Sequence, residues 1–278
     1  MRNELCWCGS GLKYKRCHLD FDNKIASLRL DITKGQVAPP KEIIKNAADI
    51  EGIRKAGVIN DAALDLAGEL VRAGENTEAI DTKLQAFIES QGGTAACLGY
   101  HGYPKATCIS LNNVVCHGIP SAKTILQDGD ILNIDITTEY NGYYADASRM
   151  YTVGTISPAA DRLVKVAKEC MLIGIEAVKP WGFVGDIGAA VSSHARKNHY
   201  SVVTALGGHG VGKDLHEDPF IAHVGERGTG MLLAPGMVIT VEPMINDGKY
   251  DVKISKKDGW TVTTKDKKLS AQWEKTVL

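Results

Sequence analysis

One ten-residue pattern occurs twice in this chain and restricts its fold more than any other feature. Leu126-Gln127-Asp128-Gly129-Asp130-Ile131-Leu132-Asn133-Ile134-Asp135 matches Leu233-Ala234-Pro235-Gly236-Met237-Val238-Ile239-Thr240-Val241-Glu242. Each copy has a leucine, a turn glycine three residues on, an apolar strand-like run and a terminal carboxylate. The surroundings repeat as well. Helical periodicity runs from about Ala47 to Arg72 and from Thr77 to Ser90, ended by Gly92-Gly93. Extended segments follow at Thr107 to Val115, Ile131 to Thr138 and Tyr143 to Val153. Ser157-Pro158, a cap plus a first-turn proline, then opens a helix that stops before Pro180. A second helix is expected from Phe183 to Asn198, with strands at Ser201 to Ala205, Val238 to Glu242 and Lys253 to Ile254. The order predicts an α+β domain of two related halves, with two carboxylates arriving at equivalent points. A shared metal centre is a natural use of that symmetry.

The hairpin after the first copy sharpens this expectation. Asn141-Gly142 is the preferred pair for a two-residue type I′ turn. With those residues at the turn, Asp135 lies opposite Ser148 and Asp146 opposite Thr137. The two aspartates are then diagonal neighbours on one face, about 7–8 Å apart at the backbone. Aspartate is depleted in strands, so two on one face of an apolar hairpin read poorly as solvated residues. The second half adds His209 within Gly207-Gly208-His209-Gly210-Val211-Gly212, where a metal or substrate can approach the backbone, and His216 seven residues later. Glu242 ends an apolar strand before Pro243, and Glu274 lies in the strand-like Ala271-Gln272-Trp273-Glu274-Lys275-Thr276-Val277. A buried carboxylate requires a metal or a hydrogen-bonded partner. Four carboxylates and one imidazole suit manganese, iron, cobalt or magnesium, and the imidazole also admits zinc. Bridging carboxylates would hold a metal pair roughly 3.5–4 Å apart, the spacing used to activate water for hydrolysis.

The N-terminus carries a different signature. Cys6-Trp7-Cys8 and Cys17-His18 offer three thiols and an imidazole, a full tetrahedral set for structural zinc. Gly9 and Gly11 permit the turn that would bring the two pairs together. So short a segment has almost no apolar core, and metal binding would supply its folding energy. Residues 21–45, with Gly35, Pro39 and Pro40 and no sustained period, read as a linker containing at most a short helix around Lys24 to Leu30. The division expected is a zinc module over 1–20, a linker over 21–45 and a catalytic domain over 46–278.

Composition excludes other classes. A formal charge of −1 gives no reason to expect DNA as a specific partner. No run of about 18 apolar residues and no apolar leader occurs, so neither a membrane span nor a secretory signal is expected. Cytoplasmic location is the default, and reduced thiols favour metal over disulfides for the cysteine cluster.

The carboxylates and histidines, in this order and spacing, resemble the type I methionine aminopeptidases of the pita-bread fold over about residues 46 to 278. The resemblance implies metal ligands at Asp135, Asp146, His209, Glu242 and Glu274, holding two divalent ions. Cys116-His117-Gly118-Ile119-Pro120 is similar to the family segment whose histidine contacts substrate, which gives His117 that role. His216 would face the scissile carbonyl and the developing oxyanion, and Glu242 would double as proton shuttle. The segment Cys97-Leu98-Gly99-Tyr100-His101-Gly102-Tyr103-Pro104 corresponds to the methionine pocket. Cys97, Tyr100, Tyr103, Cys108 and Trp260 would line it, with His101 among the substrate-binding residues; sulfur and aromatic edges suit a thioether. The N-terminal pattern resembles the SEC-C zinc motif, a docking element. Beside it, Lys13, Lys15 and Arg16 form a small basic face, which serves either docking or solubility.

What the family implies is removal of N-terminal methionine from nascent polypeptides when the next residue is small, by a monomer, with the zinc module near the ribosome. Three departures from the family pattern stand out. Leu215 replaces a common phenylalanine, Lys275 replaces a histidine after the last ligand, and the chain stops at Leu278, so the strand holding Glu274 is expected to be less well secured. Two other readings remain open at this point. A proline-specific peptidase of the same fold usually carries a large N-terminal domain, and a non-catalytic ribosome- or peptide-binding relative would have lost ligands that are all present here.

Overall fold

The computed structural model describes residues 2–278. Five α-helices are present among them: α1 (Leu19–Ser27), α2 (Ala47–Leu70), α3 (Thr77–Ser90), α4 (Pro158–Ala177) and α5 (Val184–Lys197). The first half supplies β1 (Thr94–Ala95), β2 (Cys108–Leu111), β3 (Val114–Cys116), β4 (Ile131–Tyr140) and β5 (Tyr143–Thr152). The second supplies β6 (Ser201–Val202), β7 (Gly208–Gly210), β8 (Glu217–Ile221), β9 (Ile239–Val241), β10 (Met244–Asn246), β11 (Val252–Ile254), β12 (Val262–Thr264), β13 (Ser270–Gln272) and β14 (Lys275–Val277).

Each half has its own core. Leu64, Ile80, Leu84 and Ile88 of α2 and α3 pack with Leu132, Ile134 and Ile136 of β4. Leu163, Ala167 and Cys170 of α4 and Ile187 and Val191 of α5 pack with Ile239, Val241 and Ile245. The glycines of the two repeat copies hold nearly the same left-handed conformation, φ +94° at Gly129 and +93° at Gly236, so the repeat is geometric as well as textual. This is the α+β fold of two related halves that the order of elements predicts, and the pita-bread fold that the resemblance implies.

The β4–β5 hairpin has the expected register. Asp135 pairs with Ser148 and Thr137 with Asp146, and Asn141 and Gly142 both take positive φ, as a type I′ turn requires. Two of the strands predicted after α5, at 201–205 and 238–242, are shorter than expected, while the third is one residue longer, Val252–Ile254; the chain there bends between small sheets, with β9 and β10 separated by Glu242-Pro243 and β13 and β14 by Trp273-Glu274.

The segment 21–45 differs most from expectation. Its helix starts earlier, at Leu19, and the segment lies along the second half. Phe21 packs on Trp181 with ring centroids 5.7 Å apart. Leu232 donates its N–H to the Val37 carbonyl at 2.9 Å, Gln36 Nε2 donates to the Gly228 carbonyl at 2.6 Å, and Ile43 and Ile44 are buried. Isolated anchors and backbone pairing order this stretch, and neither leaves a periodic trace in sequence.

Candidate active site and N-terminal metal cluster

The five ligand candidates come from both halves and meet where the halves join. Asp135 projects from β4 and Asp146 from β5 of one hairpin, close enough that, after burial, the charge of Asp146 raises the pKa of Asp135. Glu242 and Glu274 sit at the two strand breaks just described. His209, at the centre of β7, places Nε2 3.6 Å from both Asp146 Oδ2 and Glu242 Oε1. Ligand atoms of Asp146, His209 and Glu274 all lie within 4.8 Å of one another.

The donor set fits divalent cations. His209 Nδ1 lies 2.8 Å from the Gly210 carbonyl, which can only accept, so the proton sits on Nδ1 and Nε2 faces the carboxylates. Asp135 Oδ1, Asp146 Oδ1 and Glu274 Oε1 are buried without a hydrogen-bond partner, a costly state that cation coordination relieves. Burial, then the neighbouring carboxylates, push Asp135 and Glu274 well above the usual carboxylate range. Burial raises Glu242 to about 7, opposed by His209 and by hydrogen bonds from Thr240 and Gln272. His209 is raised to about 9: burial acts against its charge, but the hydrogen bond to Asp146 and the carboxylates of Glu242 and Asp146 outweigh it. A cluster in which like charges force one another toward neutrality is one that multivalent cations would stabilise.

The glycines around His209 have a second purpose beside the one expected: Gly207 and Gly208 line the cavity beside the cluster. A Cβ on Gly208 would meet the Thr240 carbonyl at 2.5 Å, and one on Gly210 would run into the Asp218 carbonyl. The glycines therefore also allow β8 and β9 to close on β7 and so fix His209.

A cavity of about 230 Å³ opens beside the cluster. Cys97, Tyr100, Tyr103, Cys108, His117, His216 and Trp260 all line it. His101 does not: it is exposed at φ +46° and packs edge-on against Tyr100. Tyr103 is held by its hydroxyl on the Gly118 carbonyl at 3.0 Å, and its ring meets Trp260 edge-on at 5.2 Å. Leu215 is buried in the wall. Lys275 points out of the site, its Nζ 2.8 Å from Asp61 Oδ1. The strand after Glu274 is tied in: Glu274 N–H donates to the Ser148 carbonyl at 3.1 Å, and the Thr276 hydroxyl donates to the Asp146 carbonyl at 2.6 Å. A larger groove of about 690 Å³ runs between α2 and β14 and shares Asp146 with the site, but its other acidic residues, Asp61 and Asp65, are paired with Arg149 and Lys275. It holds no histidine or thiol, so the smaller cavity is the chemical site.

Sequence reasoning missed the residues behind the ligands. Thr240 Oγ1 donates to Glu242 Oε1 at 2.7 Å, and Gln272 Nε2 donates to Glu242 Oε2 at 3.0 Å. His223, wholly buried and neutral, accepts the Glu242 N–H on Nε2 at 3.0 Å. A signal for one of them was present: Thr240 stands two positions before Glu242, the carboxylate it bonds.

The N-terminal cluster is also assembled. Cys6 Sγ and Cys17 Sγ lie 3.2 and 3.1 Å from His18 Nδ1, and Cys8 Sγ lies 3.6 Å from Cys17 Sγ. A tetrahedron with zinc-like bond lengths has edges of roughly 3.5–3.8 Å, so the cluster is close to a metal cage. Asp22 braces it, accepting from Trp7 Nε1 at 3.1 Å and the Tyr14 hydroxyl at 2.6 Å. Asn46 Nδ2 ties it to the start of α2 through the Cys8 carbonyl at 2.8 Å.

A two-half α+β domain with carboxylates and one imidazole at its centre defines a metal-dependent hydrolase, and the comparisons agree: the model of metallopeptidase family M24 matches residues 51–278, and that of the SEC-C motif residues 2–20. The chain belongs to metallopeptidase family M24, and within it to the methionine aminopeptidases. It is 48% identical to methionine aminopeptidase A of Synechocystis sp. over 82% of this chain and 90% of the relative. It is 42% identical to the Escherichia coli methionine aminopeptidase over 84% and 89%. The crystal structure of the Rickettsia prowazekii methionine aminopeptidase superposes with a TM-score of 0.82, at 46% identity over 84% of this chain and 94% of that one. The Pyrococcus furiosus prolidase is more distant, with a TM-score of 0.69 and 26% identity, and only 62% of its chain is covered.

Proposed function

We propose that the chain removes N-terminal methionine from nascent polypeptides whose second residue is small, with Asp135, Asp146, His209, Glu242 and Glu274 holding two divalent ions. The single observation that carries this reading is the meeting of all five side chains beside a cavity lined by sulfur and aromatic edges. Bound there, the ions would act as Lewis acids on the scissile carbonyl and make a water acidic enough to attack it.

The protein's own groups divide the remaining work. Glu242, fixed through both oxygens by Thr240 and Gln272, is suited to take the proton of the attacking water and pass it to the leaving amine. The Tyr100 hydroxyl, 2.7 Å from His216 Nδ1, donates to it and leaves Nε2–H for the oxyanion. His117, kept neutral chiefly by burial, lines the same cavity against Trp260. Cys97, Cys108, Tyr103 and Trp260 receive the methionine side chain. The cavity is smaller than the roughly 300–1,000 Å³ of ordinary ligand sites, so it suits one side chain and little beyond.

Turnover of Met-Ala-Ser and Met-Leu-Ser tests the substrate reading. A kcat/KM ratio above about 100 in favour of alanine is expected, the discrimination that ~3 kcal/mol of steric exclusion supplies; comparable values would reject it.

The N-terminal cluster is proposed to hold one zinc ion and to dock the enzyme near the ribosome, since no side chain of residues 2–20 lines the cavity. Deleting residues 1–40 removes Phe21 from Trp181 and Val37 from its pairing, so a Tm lower by several degrees is expected. Met-Ala-Ser hydrolysis should stay within about twofold. Salt-sensitive ribosome association should weaken in the same variant; unchanged association would remove the docking role and leave the zinc.

A further inference from the structure

The loop between β7 and β8 starts just after His209 and ends at His216, and what fixes it lies outside the cavity. Glu217 turns its side chain back beneath this loop. Its Oε1 accepts the N–H groups of Lys213 at 2.6 Å and Asp214 at 3.1 Å. Its Oε2 is paired with the ammonium of Lys45. Lys45 comes from the other end of the domain, just ahead of α2. Its N–H donates to the Gly236 carbonyl at 2.7 Å, and its side chain is only 1% exposed. Gly212, where the loop begins, sits directly on this pair: a Cβ there would meet Ile53 Cδ1 at 2.5 Å and Lys45 Cε at 2.9 Å. A second pair, between the exposed Lys213 and the buried Asp49, spans the same elements at 3.0 Å.

Burying an ammonium is costly, and exchanging a buried ion pair for apolar packing is often neutral or stabilising. A buried lysine aimed at the residue beside His216 is therefore better explained by the geometry it imposes than by stability. Lys45 does not line the cavity. We propose that Lys45 is a positioning residue for the reaction: through Glu217 it holds the β7–β8 loop so that His216 faces the substrate carbonyl. This rests on the role proposed above for His216.

A double-mutant cycle on the full chain tests it, with Met-Ala-Ser turnover and metal content as readouts. Lys45→Met should lower kcat by about tenfold or more, leave KM within about threefold and retain the metal. Lys45→Arg, which keeps the charge, should recover most of the loss. In a His216→Ala background the same Lys45→Met change should cost less than about twofold, because its effect runs through that imidazole. Should Lys45→Met fail to fold, Glu217→Gln takes its place in the cycle, since it keeps an acceptor for the loop N–H groups and loses the charge that Lys45 holds. An undiminished loss in the His216→Ala background, or no loss in the parent, overturns the proposal while leaving His216 its role. A His216→Ala enzyme as fast as the parent removes both.

Discussion

Replacing Glu274 with glutamine is expected to have opposite effects on the metal-loaded and the metal-free protein. Its carboxylate is buried, has one oxygen without a partner, and lies among Asp135, Asp146 and Glu242. The amide is nearly the same size, so packing survives, but it is a poor ligand for a hard cation. Activity should fall on the order of 10³-fold, corresponding to ~4 kcal/mol of lost transition-state stabilisation, with bound metal per chain reduced. Metal-free Glu274→Gln protein should melt higher than its metal-free parent at neutral pH. The substitution removes a buried carboxyl group whose pKa burial and its neighbours raise, a shift that costs stability at pH above its unfolded value, and ~1 kcal/mol of relief raises Tm by about 2–4 °C in a domain of this size. The measurements are metal analysis, turnover and calorimetry with and without chelator. A parallel drop in Tm in both states would mean that Glu274 supports the fold and not the ions.

The contrast between these states explains why so much of the site was legible in sequence. Carboxylates placed on apolar strands are local contradictions, and such contradictions tend to mark function. Asp135, Asp146, Glu242 and Glu274 each interrupt a run that would otherwise be core. The hairpin register could be read because Asn141-Gly142 fixes the turn and alternation fixes the faces. The two-half fold was legible because Gly129 and Gly236 are required by the same left-handed turn in each copy. What was not legible depends on distant partners. His223 is buried beneath Glu242 with no pattern around it, Lys45 meets Glu217 across 172 positions, and segment 21–45 is ordered by contacts with residues some 190 positions on. His101 was grouped with its pocket neighbours by adjacency, yet at φ +46° the chain turns it out to solvent.

His216→Ala is expected to lower kcat by about 10²–10³-fold, the cost of removing one donor to a developing oxyanion, while metal content stays at the parental level. His209 in β7 and His216 at the end of the β7–β8 loop face the same cavity with ring centroids 4.1 Å apart, yet their surroundings differ. His209 has its Nδ1 proton committed to the Gly210 carbonyl and turns a free Nε2 toward two carboxylates, the arrangement of a metal ligand. His216 has no carboxylate within ion-pairing distance. Burial, followed by the charge of His209, lowers it to about 4, so it is neutral at physiological pH. Its Nδ1 is taken by Tyr100, whose own pKa burial raises, so that hydroxyl keeps its proton and donates. The Nε2–H that remains can donate to a carbonyl oxygen more strongly as negative charge builds there, which is the condition for acceleration and not mere binding. KM should therefore change little. Tyr100→Phe should produce a smaller loss of kcat, about tenfold, because the imidazole stays in place but its tautomer is no longer imposed. Metal lost from the His216→Ala protein would make it a ligand, and a purely KM effect would make it a binding residue; either result would move the oxyanion role to His117, which lines the same cavity.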